Sequence, residues 1–201
     1  MKNPFSLAFG KEPQEYISRT VQVQKIKDTF LYGDSGSQAY IITGIRGCGK
    51  TVLLTEIARQ FDALDDWEAI DLNPNREMLS SLISKMNSRN TLARIFSEIR
   101  LSINLPGLTL NYGGSSITDP EAALEEMLSA MKKKNKKLLV TIDEVDKNEN
   151  LKAFVSTFQM MIRKDLPVYL LMTGLMKMCR VFRMRAILLF FCGLLKQNLP
   201  P

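Results

Sequence analysis

Residues Gly44-Ile45-Arg46-Gly47-Cys48-Gly49-Lys50-Thr51 satisfy G-x-x-x-x-G-K-[ST], a loop pattern suited to holding a polyphosphate. Each fixed position answers a demand of that ligand. Gly44, Gly47 and Gly49 allow tight backbone turns, and without side chains their N–H groups can close around phosphate oxygens. Lys50 sets a positive charge against β- and γ-phosphates, and the Thr51 hydroxyl is a suitable Mg²⁺ ligand. Ile45, Arg46, Cys48 and Val52 complete the contact positions, Cys48 sitting where any small residue would serve. A second pair belongs to the same chemistry. The apolar run Leu138-Leu139-Val140-Thr141-Ile142 ends in Asp143-Glu144. Asp143 is placed to hold Mg²⁺ through water, and Glu144 to orient and polarise an attacking water.

These residues need elements to carry them. Tyr40-Ile41-Ile42-Thr43 is a short β-prone run directly before the loop. Residues 52–61 follow with Val52, Leu53, Ile57, Ala58 and Phe61 at helical spacing. Strand, glycine loop and helix is the arrangement the loop requires, with the positive end of the helix aimed at the anion. The interval between Lys50 and Asp143 leaves room for another strand, which Trp67-Glu68-Ala69-Ile70-Asp71-Leu72 supplies. Helices are predicted over 21–32, 76–86, 92–103 and 151–163, and a buried strand over 168–173. Asp119-Pro120-Glu121 opens a further helix with an N-cap, a proline at N1 and an acid in the first turn. Residues 105–116, with Pro106, Gly107, Gly113 and Gly114, read as irregular or as a short hairpin. The expected fold is a three-layer α/β P-loop domain, a parallel sheet with helices on both faces.

Composition narrows the classes. A chain of 201 residues, 45% hydrophobic and 24% charged, can bury a real core and allows one domain, or one domain plus a fragment. Residues 1–11 lack the continuous apolar stretch of a signal peptide, and no run of apolar residues is long enough to span a bilayer. The absence of histidine excludes His-based nucleophilic catalysis and most zinc chemistry. Cys48, Cys179 and Cys192 form neither a metal spacing nor a disulfide framework, so a reducing cytoplasm is the expected compartment. The net charge of +6 lives in the last residues: Lys177, Arg180, Arg183, Arg185 and Lys196 have no acid among them. Without those five of the 27 basic residues, the body carries one more base than its 21 acids. It gives no electrostatic reason to expect nucleic acid. Lys132-Lys133-Lys134-Asn135-Lys136-Lys137 reads as a solvated helix end, with a nucleic-acid patch as the alternative.

Taken together, Asn3-Pro4-Phe5, Phe9-Gly10, Pro13, Ile17-Ser18-Arg19, the loop at Gly44 to Thr51, Asp71-Leu72-Asn73-Pro74, Val140 to Glu144 and Leu170 to Gly174 resemble a known family. It is that of bacterial AAA-type ATP-binding proteins, relatives of archaeal and origin-recognition-like ATPases. The resemblance spans residues 3–175. It implies ATP and Mg²⁺ as ligands, Glu144 as the water-activating base, Lys50 as charge stabiliser, and Thr51 with Asp143 as magnesium holders. It places Ile17 to Arg19 near the adenine, making Arg19 either a nucleotide contact or a surface residue; the family's acidic residue a few positions on is Gln22 here. Thr173 takes the position whose polar side chain contacts the γ-phosphate or the water in nucleotide-switch ATPases; capping the strand is the plainer role. The implied organisation is an N-terminal segment, 1–36, packed on the nucleotide site, an ATPase core, 37–175, and a divergent tail, 176–201.

After Leu175 the resemblance stops. The family continues with a polar segment beginning roughly Tyr-Glu-Asn, a further strand, a helical lid and a C-terminal domain. Back-translating Met176-Lys177-Met178-Cys179 one nucleotide earlier permits Tyr-Glu-Asn-Val, so the tail reads as a frameshift product lacking the C-terminal lid. The alternative is a genuine short variant in which residues 186–191 form a fifth strand. The functional expectation is ATP·Mg²⁺ binding with little turnover, hydrolysis being completed in full-length relatives, which can act as homo-oligomers or with a protein partner and without a membrane. Two alternatives stand beside it: an ATP-switched DNA-binding initiator or regulator whose DNA-binding domain lies beyond residue 201, and a nonfunctional fragment.

Overall fold

The computed structural model describes residues 20–33, 38–44, 46–146, 149–174 and the backbone of 189–190. Arg19, Ile45, most of the N-terminal segment and most of the tail therefore lie outside the described residues. The elements run α1 (Thr20–Tyr32), β1 (Ala39–Thr43), α2 (Lys50–Asp62), β2 (Trp67–Leu72), α3 (Met78–Ser88), α4 (Asn90–Glu98), β3 (Ser102–Leu105), β4 (Leu108–Asn111), β5 (Ser116–Ile117), α5 (Pro120–Lys133), β6 (Lys137–Val145), α6 (Glu149–Arg163), β7 (Val168–Gly174) and β8 (Leu189–Phe190).

Strands β2, β6, β7, β1 and β8 form one sheet in that order, with every neighbouring pair parallel. Alternation along the strands divides the core in two. Leu138, Val140 and Ile142 of β6, with Leu170 and Met172 of β7, face a large apolar cluster fed by α3 to α6. Leu139 and Leu171 face the other side, against Phe30 of α1 and Leu53, Leu54, Ile57 and Phe61 of α2. The result is the expected three layers, with helices covering both faces of a parallel sheet. Leu189 and Phe190 pair with Ile42 and Thr43 of β1, at the edge of the sheet.

The parity of the strands has a consequence for the site. Asp71 shares its face with Trp67 and Ala69, Thr141 and Asp143 share theirs with Leu139, and Thr173 shares its with Leu171. All four therefore lie on the α2 side, toward the carboxyl ends of the strands, where parallel α/β sheets bind their ligands.

Two sequence expectations are corrected. The helix predicted over 92–103 ends at Glu98. Its last turn closes with Leu101 N–H donating to Phe96 C=O (3.0 Å) and Arg100 N–H to Ser97 C=O (3.1 Å), while Arg100 takes φ 54°. This is a Schellman stop with arginine in the left-handed position normally given to glycine or asparagine. Residues 102–105 then form β3, which pairs antiparallel with β4 across Pro106-Gly107 and parallel with β5, making a small second sheet. The helix predicted from 76 begins instead at Met78, because the Glu77 carboxylate accepts from Leu79 N–H and Ser80 N–H and caps it there.

Candidate active site

The loop between β1 and α2 is shaped by its glycines. Gly47 (φ 79°) and Gly49 (φ 78°) both lie in the left-handed region, and Gly49 is the residue that hands the chain to α2. Any Cβ-bearing residue would be strained at either position. Lys50, largely buried, folds its ammonium back over the loop: Nζ donates to Gly44 C=O at 3.2 Å and lies 4.0 Å from Cys48 Sγ. Thr51, on the open side of the first turn, donates its hydroxyl to Asp143 Oδ2 at 2.8 Å. Residues 92 positions apart thus meet, one from a helix start and one from a strand end.

The other Asp143 oxygen, Oδ1, accepts from the Thr173 hydroxyl. That same hydroxyl accepts from Glu144 N–H at 2.9 Å, and Thr173 is fully buried. Thr173 therefore ties β7 to both acids of β6. Between Ile142 and Val145 the β6–β7 register shifts, and within the bulge Glu144 takes φ 50° and leaves its side chain exposed. Among the described residues four non-glycines have positive φ: Arg100, Asn135, Asp165 and Glu144. The first three terminate α4, α5 and α6 through the same pair of backbone bonds. Glu144 stops no helix. Left-handed backbone at a glutamate costs of order 1 kcal/mol or more and concentrates at functional sites.

Asp71 and Thr141 extend the acidic side of the site, a role that sequence reasoning assigned to neither. The Thr141 hydroxyl donates to Asp71 Oδ1 at 3.1 Å, and Asp71 C=O accepts from Lys85 Nζ at 2.6 Å. Burial pushes the Asp71 carboxyl above its ordinary range, opposed by the Thr141 hydrogen bond and by Lys85, with the Asp143 charge adding to the rise. The available signal was strand parity, which puts Asp71 and Asp143 on one face of adjacent strands.

The structure brings together Gly44, Gly47, Cys48, Gly49, Lys50, Thr51, Asp143, Glu144 and Thr173. Val52 stands half-buried one residue further into α2, and Arg46 is exposed on the loop. Arg19 and Ile45 lie outside the described residues. Among the described residues no group of three or more His, Cys, Asp or Glu is arranged to hold a metal ion. The donors that do converge, one hydroxyl and one carboxylate, fit a Mg²⁺ ion that completes its shell with phosphate oxygens and water. Four of the five lysines in the run 132–137 are engaged within the fold, and Lys133 is exposed. Lys132 pairs with Asp165 (2.7 Å), Lys134 with Glu98 (2.6 Å) and Lys137 with Asp66 (3.6 Å), while Lys136 donates to Asp65 C=O. No helix among the described residues is long and apolar enough to cross a membrane.

Comparison with known proteins agrees with this fold. Residues 16–173 match the family described as an ATPase domain predominantly from Archaea. No curated protein sequence matches the chain. Among solved structures, Cdc6p from Pyrobaculum aerophilum superposes with a TM-score of 0.53 at 12% identity, covering 83% of this chain and 41% of that one. The Aeropyrum pernix ORC1 protein, solved with DNA, gives 0.46 at 15% identity, covering 81% and 40%. PCH-2 of C. elegans gives 0.38 at 17% identity, covering 78% and 36%. The chain thus spans about two fifths of these structures' length, and the first of them shares its fold. With a glycine loop facing a bulged acidic strand, and a family match over most of its length, the chain belongs to the ATPase-domain family found predominantly in Archaea.

Proposed function

We propose that this chain binds ATP with Mg²⁺ in the loop from Gly44 to Thr51, and that in a longer protein the module hydrolyses ATP slowly to drive a conformational switch. The observation that carries the reading is the 2.8 Å contact between Thr51 Oγ1 and Asp143 Oδ2, which supports their serving one small cation together. Bound there, Mg²⁺ would neutralise charge on the phosphate oxygens.

The chain's own groups divide the remaining work. Backbone N–H groups of the glycine loop and the start of α2 bind and orient the phosphates. Lys50 exchanges its contacts within the loop, Gly44 C=O among them, for a terminal phosphate. Glu144, exposed at the bulge, accepts a hydrogen bond from the attacking water and aligns it with phosphorus. Thr173 holds Asp143 and the Glu144 backbone in register. The dominant contribution is electrostatic stabilisation by groups fixed before the ligand arrives. Arg19 remains a proposed adenine contact, and 37–175 the proposed core.

Thermal unfolding with and without ATP·Mg²⁺ tests the reading. At a free ligand concentration of about 100 Kd, binding contributes roughly 2.7 kcal/mol. For a domain of this size that raises Tm by roughly 5–10 °C. Lys50→Ala should abolish the rise, and Glu144→Gln should keep it while lowering any hydrolysis. A wild-type protein with no rise, or Lys50→Ala with the full rise, rejects the site. Unchanged turnover in Glu144→Gln removes that residue from its role.

A further inference from the structure

The two sheets treat their edges differently. In the main sheet, the outward backbone groups of edge strand β2 are taken up by side chains. Ala69 N–H donates to Asp62 Oδ1 (3.0 Å), Arg89 Nη2 donates to Ala69 C=O (2.6 Å), and Lys85 Nζ donates to Asp71 C=O (2.6 Å). Asp62 and Arg89 also pair with each other at 3.4 Å. A sealed and charged edge of this kind blocks strand addition.

The small sheet has no such protection. Its order is β4, β3, β5, and among the described residues β4 has no neighbour beyond β3. From Leu101 to Thr118 the chain contains no Asp, Glu, Lys or Arg. Leu105 and Leu108 close the turn at Pro106-Gly107, so Leu108 and Leu110 direct their N–H and C=O groups toward β3. Thr109 and Asn111 then direct theirs outward. Their side chains are exposed, whereas Leu108 and Leu110 are half-buried and pack against the core.

We propose that the β4 edge is a self-association surface, on which a second copy of this chain adds its own β4 antiparallel across a twofold axis. The sequence Leu108-Thr109-Leu110-Asn111 is self-complementary in that arrangement. Centring the axis at Leu110 sets Thr109 of one copy opposite Asn111 of the other, so the outward backbone groups of both satisfy each other. Leu110 then meets its own counterpart at a close, non-hydrogen-bonded pair. The leucines of both copies stay on one face and the polar residues on the other, as a pleated sheet demands. Because neither edge carries charge, nothing electrostatic opposes the pairing of identical surfaces. This surface is independent of the nucleotide reading.

Sedimentation equilibrium on the full chain, from about 1 to about 300 µM, reads the association, which an edge this short should hold weakly. Thr109→Lys and Thr109→Pro should each weaken it by about tenfold or more, one by like charge near the axis and the other by removing an outward N–H. Ser156→Lys, on the exposed face of α6, should leave it unchanged. Far-UV circular dichroism checks that each variant is folded, and Thr109→Lys stands if the proline variant is not. Amide exchange at Thr109 and Asn111 in the wild type should slow as concentration rises. A monomer throughout the range, a dimer indifferent to both Thr109 variants, or edge amides already protected in the monomer each overturns the proposal.

Discussion

Thr173 is buried, and its hydroxyl makes two hydrogen bonds inside the protein. A hydroxyl offers one donor and two acceptor sites. Here the donor goes to Asp143 Oδ1 and one acceptor takes Glu144 N–H. The sequence left its role open between a phosphate contact and a strand cap; the geometry adds that it clamps the acidic bulge. Thr173→Val keeps the shape and deletes the hydroxyl, leaving a backbone N–H and a carboxylate oxygen without partners. The expected cost is about 1–3 kcal/mol of stability. Turnover should fall much more than nucleotide affinity, because the acids lose their register while the glycine loop is untouched. Thr173→Ser should restore both. Equal turnover in the valine and wild-type proteins would show that the bulge holds without the clamp. Residue-scale chemistry was legible in Gly44 to Thr51 because each glycine and the lysine answer to local geometry. The clamp was hidden because it joins residues 143, 144 and 173 through tertiary structure.

Elements explain the next layer. Helix starts were readable where a cap announces them: Asp119 Oδ2 accepts from Ala122 N–H at 2.8 Å, and Pro120 follows. The end of α4 was not readable, because arginine at position 100 carries no left-handed preference and the stop depends on packing beyond the helix. Strand parity likewise needed the sheet before it could pair Asp71 with Asp143 across β2 and β6. That pairing makes a prediction with a definite sign. Asp71 has a folded-state pKa above its unfolded value of 3.8, chiefly through burial, so ionising it works against the fold. Below pH 3.8 both states are protonated and the penalty vanishes; as pH rises toward the folded value it grows, and above that it is constant. Asp71→Asn keeps an acceptor for the Thr141 hydroxyl and removes the charge. The variant should be more stable than wild type at pH 7, by less than about 1 kcal/mol because the residue is partly exposed. The advantage should shrink to nothing as pH falls below 3.8. Mg²⁺ should bind it more weakly, since one of two neighbouring negative charges is gone. Urea melts at pH 3.5 and pH 7 check the first part; an advantage that grows on acidification would reverse the assignment.

At the scale of the whole molecule, the net charge of +6 is divided unevenly between the body and the residues after 176. Composition made that division legible, and the fold adds that four of the five lysines in the body's densest basic run are committed to its own acids and carbonyls. Lys134 sits close enough to Glu98 to hold that exposed carboxyl below its ordinary range, and Lys132 reaches both the side chain and the C=O of Asp165. A lysine already bound to a neighbouring acid releases fewer counterions when it meets a phosphate than one that is not. Binding to duplex DNA depends on such release, each neutralised phosphate adding about −0.9 to the slope of log K against log salt. Any affinity of this chain for DNA should therefore be weak and nonspecific, and carried by the tail. Replacing Lys177, Arg180, Arg183, Arg185 and Lys196 with Gln should lower affinity at low salt by about tenfold or more and flatten the slope. Replacing the engaged Lys132, Lys134, Lys136 and Lys137 with Gln should change both far less. Fluorescence anisotropy of a labelled duplex across a salt series separates the two sets. If the second set of changes flattened the slope and the first did not, the lysine run would be a nucleic-acid surface after all.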